Sequence, residues 1–331
     1  MQKGLITILT PCYNTGPIVH RLLDSILMQD YPKVEMIAIN DGSDDNTEQV
    51  IKSYISKFEA KGYSLTYIYQ TNQGQSAAIN NGLKLVQGEY LIWPDSDDFF
   101  RVHNALTTFV NALKNKGNNF GVVRCLPVHV DENTLEEEAE RQLIPAYREE
   151  NQFENCLYSK KFFWGAGDYL IRTSALDHVN PSRKIYIEKN AGQNWQLLLP
   201  VLYSYKCHTL EESVYCVLVR SNSHCRGQFK TYEEQVKKIE SYKNTIIQTL
   251  NSMVSMPQEE KEYYKRSITN KYKLEQYKLA IKVGTETDKL VVAKELKILG
   301  IYPSLISRLL WKYENNRIVH LILRIKNRIL G

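Results

Sequence analysis

No apolar run in this 331-residue chain approaches the roughly 20 residues that a bilayer-spanning helix needs. The longest, Trp195 to Tyr205, carries Gln196 and Pro200 within it. The six cysteines (Cys12, Cys125, Cys156, Cys207, Cys216 and Cys225) form no Cys-x-x-Cys pair and no zinc spacing. No leader-like segment precedes Met1-Gln2-Lys3-Gly4, so a reduced, cytoplasmic protein is expected, with a place at the inner face of the membrane left open by the tail described below. Also missing are Gly-x-Gly-x-x-Gly after the first strand-like segment and Gly-x4-Gly-Lys-Ser/Thr anywhere, which counts against a dinucleotide fold and a P-loop. Finally, the body of the chain has little charge of one sign. The net charge of +5 is matched by residues 301–331 alone, where six cations face only Glu314, so nucleic-acid binding by the remainder lacks the basic face it would need.

What the chain does contain is alternation. Leu5 to Thr10 reads as a buried strand, and Ile18, Leu22, Leu23, Ile26 and Leu27 then recur at helical spacing. Val34 to Asn40 repeats the strand signal, and Asp45 with Glu48 three positions later marks a helix start. Leu65 to Tyr69, Gly74 to Val86 and Glu89 to Trp93 continue as strand, helix and strand. This predicts an α/β protein with a mostly parallel sheet flanked by helices, whose ligands bind beyond the carboxyl ends of the strands. Residues 131–154 read as an acidic, solvated excursion. Regular structure resumes at Phe162 to Leu176, Ala191 to Tyr205 and Val214 to Val219, and the pattern is helical beyond Thr231. The expected division is a catalytic domain over 1–230 and a helical region over 231–331.

A polar motif follows each of the first four strands. The fourth, Asp95-Ser96-Asp97-Asp98, crowds three carboxylates that repel one another unless a cation lies between them, although an acidic turn has the same composition. Oxygen ligands of this kind favour Mg2+ or Mn2+, and a metal held by Asp97 would neutralise a diphosphate without a glycine cradle.

Together with Thr10-Pro11-Cys12-Tyr13-Asn14, Asn40-Asp41-Gly42-Ser43-Asp44-Asp45-Asn46-Thr47 and Asn72-Gln73-Gly74-Gln75-Ser76-Ala77-Ala78-Ile79-Asn80-Asn81-Gly82, the cluster resembles the family 2 inverting glycosyltransferases of GT-A fold, which use nucleotide sugars. The resemblance is specific over residues 1 to about 125, looser to about 230, and lapses beyond. It implies a nucleotide-sugar donor, with Pro11, Tyr13, Asn14 and Asp41 at the base. Asn72, Gln73, Gly74, Ala77 and Asn80 would line base and ribose, and Asp95 with Ser96 would lie at the ribose or sugar. Asp97 would hold the metal, and Asp98 would be a supporting acceptor or the cap of the next helix. His224, in Ser221-Asn222-Ser223-His224-Cys225-Arg226, would complete the metal site or sit solvated in its loop. The plain alternative for Gly74 and Asn80 is a helix start and a polar helix face.

The resemblance also implies inversion, through attack by an acceptor hydroxyl opposite the departing diphosphate while a base takes its proton. Here the chain departs from the pattern, because the segment where an Asp or Glu base is usual reads Gly192-Gln193-Asn194-Trp195-Gln196, and Asn194 takes no proton at neutral pH. Three readings follow: Asn194 orients the acceptor while Asp168 or Glu188 acts as base; no base is needed; or the chain binds donor without turning it over. The expected activity is transfer from a nucleotide-diphosphate donor, a UDP-sugar by preference, to a glycan or lipid-linked acceptor in cell-surface polysaccharide synthesis. Rivals are a silent nucleotide-sugar-binding subunit and a nucleotidyltransferase. The cationic, nearly all-round apolar segment Arg317 to Leu330 reads as a membrane-surface helix or a partner-packing one.

Overall fold

The structure is a computed structural model that describes residues 1–188, 192–220 and 229–303. His224 and residues 304–331 lie outside the described residues, and with them the metal-ligand reading of that histidine and the surface-helix reading of the tail.

Among the described residues, ten strands form two sheets. The larger contains β1 (Gln2–Cys12), β2 (Val34–Asp41), β3 (Ser64–Gln70), β4 (Gly88–Ile92), β6 (Phe120–Arg124), β8 (Tyr169–Arg172) and β9 (Lys206–Thr209), in the order β3-β2-β1-β4-β8-β6-β9. Only β8 runs against its neighbours, so the sheet is mostly parallel, as expected. The smaller sheet, β5 (Phe99–Phe100), β10 (Tyr215–Val219) and β7 (Val128–Asp131), has β10 at its centre. The acidic cluster therefore lies where the chain leaves β4 of one sheet and enters β5 of the other.

Period-two alternation explains why the large sheet is covered on both faces. Leu9, Ile37, Ile39, Leu91 and Trp93 belong to one apolar cluster, while Ile8, Met36, Ala38, Tyr90 and Ile92 belong to the other. The second face packs on α1 (His20–Leu27), on Tyr54 and Phe58 around α2 (Thr47–Ser53) and α3 (Ile55–Lys61), and on α5 (Ala105–Lys116). The first packs on α4 (Gln75–Leu83), α7 (Phe153–Tyr158), α8 (Thr173–Val179) and α9 (Gln193–Ser204). The short α6 (Pro145–Arg148) precedes α7.

The C-terminal helices α10 (Tyr232–Ser252), α11 (Gln258–Val283) and α12 (Glu286–Ile298) are present as predicted. The first core runs through residue 230, since Ile246, Leu250, Met253, Tyr264, Ile268 and Tyr272 share it with α9. α12 builds a separate small cluster with Tyr277, Ala280 and Ile281 of α11.

Several boundaries differ from the sequence reading. β1 continues through Pro11, which pairs in register with Ile39, instead of stopping there. The second helix begins at Thr47, because Asp45 turns its carboxylate to the Thr47 hydroxyl and N–H and to the Gly16 N–H. Asp98 caps no helix: α5 starts only at Ala105, and the Asp98 carboxylate accepts from Leu218 N at 2.8 Å. Within the acidic stretch, Glu137 and Glu140 are not simply solvated, since both pair with Arg101. Among the described residues, no helix is long and apolar enough to cross a membrane.

Candidate active site

The loops after β1, β2, β3 and β4 meet at one edge of the large sheet and are laced to one another. Asn14, in the left-handed region at φ 50°, donates its N–H to Ser43 Oγ and accepts from Asp44 N, both at 2.9 Å. Pro11 is buried beneath, whereas Tyr13 is exposed at 49% and presents its ring to solvent. Gly42 comes so near the third loop that an added Cβ would lie 2.7 Å from Asn72 N.

Asp41 organises the third loop. One carboxylate oxygen accepts from Gln70 Nε2 at 2.7 Å and Gln73 N at 2.9 Å, and the other from Gly74 N at 2.8 Å. That turn needs glycine, because Gly74 sits at φ 91°, ψ 163°, a region essentially closed to side chains with a Cβ. Asn72 and Gln73 are exposed at the rim, while Ala77 and Asn80 are buried along α4. Asn80 Oδ1 accepts from Ile185 N at 3.0 Å, so its amide fastens the 185–188 segment to α4.

In the acidic loop, Ser96 and Asp98 are buried and Asp95 and Asp97 are half-buried. Asp95 Oδ1 accepts from Gln75 Nε2 at 2.8 Å and Gln193 Nε2 at 3.5 Å. Burial, reinforced by the charge of Asp97, pushes the Asp95 carboxyl up to about 7 against those two amide bonds. Burial also raises Asp98 well above the carboxylate range, with Asp97 and Asp95 adding to it. Asp97 meets a cation of the chain itself: Arg220, directly after β10, places Nη1 3.0 Å from Asp97 Oδ2. Among the described residues there is no group of three or more His, Cys, Asp or Glu side chains that could hold a metal ion. Asp95 and Asp97 stand as a pair.

The three base candidates separate. Asn194, in the first turn of α9, has both ends of its amide engaged: Oδ1 accepts from Trp93 Nε1 and Nδ2 donates to Trp164 O, each at 2.8 Å. Asp168 is wholly buried, its carboxyl oxygens meet no well-formed hydrogen bond and lie against the Gly165 backbone, and burial raises it well above the carboxylate range. A base must reach the acceptor hydroxyl, and Asp168, though within electrostatic range of Asp95, has no exposed surface in this structure. Glu188 is half-buried at the rim, with its backbone exchanging two bonds with Ser76 Oγ at 3.0 and 3.3 Å, one residue from Gln75.

Gln75, Gln193 and Arg220 are the polar neighbours of the acids that the sequence reading did not single out. Gln75 lies inside the third motif and Gln193 beside Asn194, but only tertiary contact shows that both face Asp95. The signal for Arg220 was a cation at the end of an apolar strand, which by itself is common.

Residues 7–166 match the family model described as Glycosyl transferase family 2. This segment, just under half of the chain, is similar to family 2 glycosyl transferases. An uncharacterized glycosyltransferase of Rickettsia typhi is 35% identical over 121 residues, which is 37% of this chain and 36% of that protein. Glycosyltransferase GlyA of Streptococcus pneumoniae is 38% identical over 94 residues, 28% of this chain and 13% of that one. The matched stretch thus spans well under half of these relatives. In three dimensions, the chain is similar to S. aureus TarS residues 1–349, solved in complex with UDP-GlcNAc, with a TM-score of 0.59 at 16% identity over 97% of this chain and 92% of that one. The domain has the GT-A architecture expected from its motifs, with the helical extension following it.

Proposed function

We propose that this protein transfers a sugar from a nucleotide-diphosphate donor, a UDP-sugar by preference, to a hydroxyl of a glycan or lipid-linked glycan, with inversion, in the building of cell-surface polysaccharide. The observation that carries the reading is the convergence of four polar loops, all within the segment that matches the family 2 model, at one sheet edge, with Asp95 and Asp97 at the crossing between the two sheets. In this reading the exposed Tyr13 ring flanks the base, with Pro11, Asn14 and Asp41 shaping its pocket. Asn72, Gln73 and Gly74 line the ribose side, with Ala77 and Asn80 behind them, and Asp95 and Ser96 position the ribose or sugar.

The donor set fits a divalent ion of the Mg2+ or Mn2+ kind. Two half-buried carboxylates two residues apart, one of them raised by burial and further by the charge of the other, are an environment in which oxygen-seeking cations bind, with remaining ligands drawn from diphosphate oxygens. Asp97 would hold the ion, and His224 stays a candidate ligand. When bound, the ion supplies positive charge against the departing diphosphate. The chain's own residues do the rest: Gln75 and Gln193 fix the Asp95 carboxylate, and Glu188, half-exposed and tied through its backbone to Ser76, or the buried Asp168 takes the acceptor proton.

A panel of UDP-, GDP- and dTDP-sugars with manganese, scored for binding and for nucleotide release, tests the reading. Release from one UDP-sugar on adding acceptor is expected, whereas pyrophosphate formation from a sugar phosphate and a nucleoside triphosphate would make the protein a nucleotidyltransferase. A second reading, a silent donor-binding subunit, draws on the fully engaged Asn194 amide where relatives place a base. Binding without release for every acceptor would favour it. Residues 301–331, with their six cations, are proposed to hold the protein on anionic lipid, each cation adding roughly 1 kcal/mol near the surface. Equal partition of the full chain and a chain lacking 301–331 onto anionic vesicles would rule that out.

A further inference from the structure

Asp97 is the acid expected to receive a divalent ion, yet it is paired with a cation of the chain itself. Arg220 Nη1 lies 3.0 Å from Asp97 Oδ2, and Arg220 Nε lies 3.9 Å from Glu132 Oε2. All three side chains are only about a quarter exposed, at 27% for Arg220, 22% for Asp97 and 26% for Glu132, so the pair is less screened than one on open surface. Its geometry is set by backbone. Asp98 Oδ1 accepts from Leu218 N at 2.8 Å, and Glu132 N donates to Val219 O at 3.3 Å, which clamps the end of β10 between the acidic loop and the end of β7. Arg220 therefore emerges at a fixed point between two carboxylates.

We propose that Arg220 is a built-in counter-ion that holds Asp97 in the donor-free protein and gives it up to a divalent ion only when the ion arrives with a diphosphate. The inference rests on the reading of Asp97 as metal ligand. A lone divalent ion must displace a guanidinium from its carboxylate and then stand close to that positive charge. A nucleoside diphosphate reverses the balance, because its oxygens bring negative charge and ligands for the ion and also a partner for the released guanidinium. Glu132 gives the side chain an anchor during the exchange, so Arg220 turns from one carboxylate to another without moving the strand. Divalent-ion binding is thereby coupled to nucleotide, and Arg220 is a positioning residue.

The test titrates Mn2+ by electron paramagnetic resonance into the full-length protein and into Arg220→Gln, Arg220→Lys and Asp97→Asn, each with and without UDP. Without UDP, Arg220→Gln should bind Mn2+ about fivefold more tightly than the parent, the worth of a modest ion pair. The gain on adding UDP should shrink in that variant, and Arg220→Lys should lie near the parent. A variant merely damaged in structure would bind the ion more weakly, so tightening separates the two cases. Unchanged or weaker binding in Arg220→Gln, with binding lost in Asp97→Asn, overturns the counter-ion role and leaves the metal reading standing. Parental binding in Asp97→Asn overturns the metal reading itself.

Discussion

At the scale of single residues, the site is held by side chains whose polar atoms are already engaged. Asn194 looked in sequence like a lost base, and its contacts make it a structural tie that joins Trp93, the second residue before Asp95, to Trp164. Asn194→Ala leaves the Trp93 indole N–H unpaired, and chemical denaturation should show a loss of about 1–3 kcal/mol. Asn194→Asp, which puts a charge against the Trp164 carbonyl, should be destabilised too and should not gain turnover. Asp168 makes a pH-dependent prediction. Its pKa is raised in the folded state, so the stability it favours is present below the ordinary Asp value near 4 and is lost as pH rises through the folded value. Asp168→Asn should therefore melt at or above the parent temperature at pH 7–8, with the gap closing toward pH 4. A lower melting temperature for the variant at pH 8 would show that the buried carboxylate is stabilised by a partner, with the Gly165 backbone and the charges of Arg124 and Arg141 acting in that direction.

At the scale of elements, the third loop depends on Asp41 and Gly74 together. Asp41→Ala removes the acceptor for the Gln73 and Gly74 N–H groups, and Gly74→Ala forces a Cβ into φ 91°. Each should cost about 1–3 kcal/mol in denaturation and weaken UDP binding, while far-ultraviolet circular dichroism stays unchanged. The strand–helix units of the first half were legible in sequence because both faces of the sheet are buried, so each strand is an apolar run and each helix has one apolar stripe. β6, β7 and β9 give little signal, since each spans only four or five residues and Lys206–Thr209 is half-buried with no apolar run of its own. The four site motifs were legible for the same reason that they work: glycine and polar residues follow directly on buried strands. The partners of Asp95 and Asp97 were not, because Gln193 and Arg220 lie 98 and 123 residues from them in sequence.

At the scale of the whole molecule, the GT-A domain and the first two C-terminal helices share one core. Ile246, Leu250, Tyr264, Ile268 and Tyr272 pack with Trp195 and Leu198 of α9, the helix that also carries Gln193 and Asn194. A chain ended after residue 230 exposes that apolar face and should aggregate or lose its cooperative melting transition, whereas one ended after Gly284 keeps α10 and α11 and should melt as one unit. On the proposed function, this edge of the sheet binds a nucleotide diphosphate through a cation held by Asp97. That binding is tested most directly by calorimetric titration of UDP into the full-length protein with Mn2+, with excess chelator, and into Asp97→Asn with Mn2+. Saturable binding in the first titration should be abolished in the other two while the melting temperature of Asp97→Asn stays near the parent's; UDP binding of equal strength in all three would mean that no cation on Asp97 holds the nucleotide.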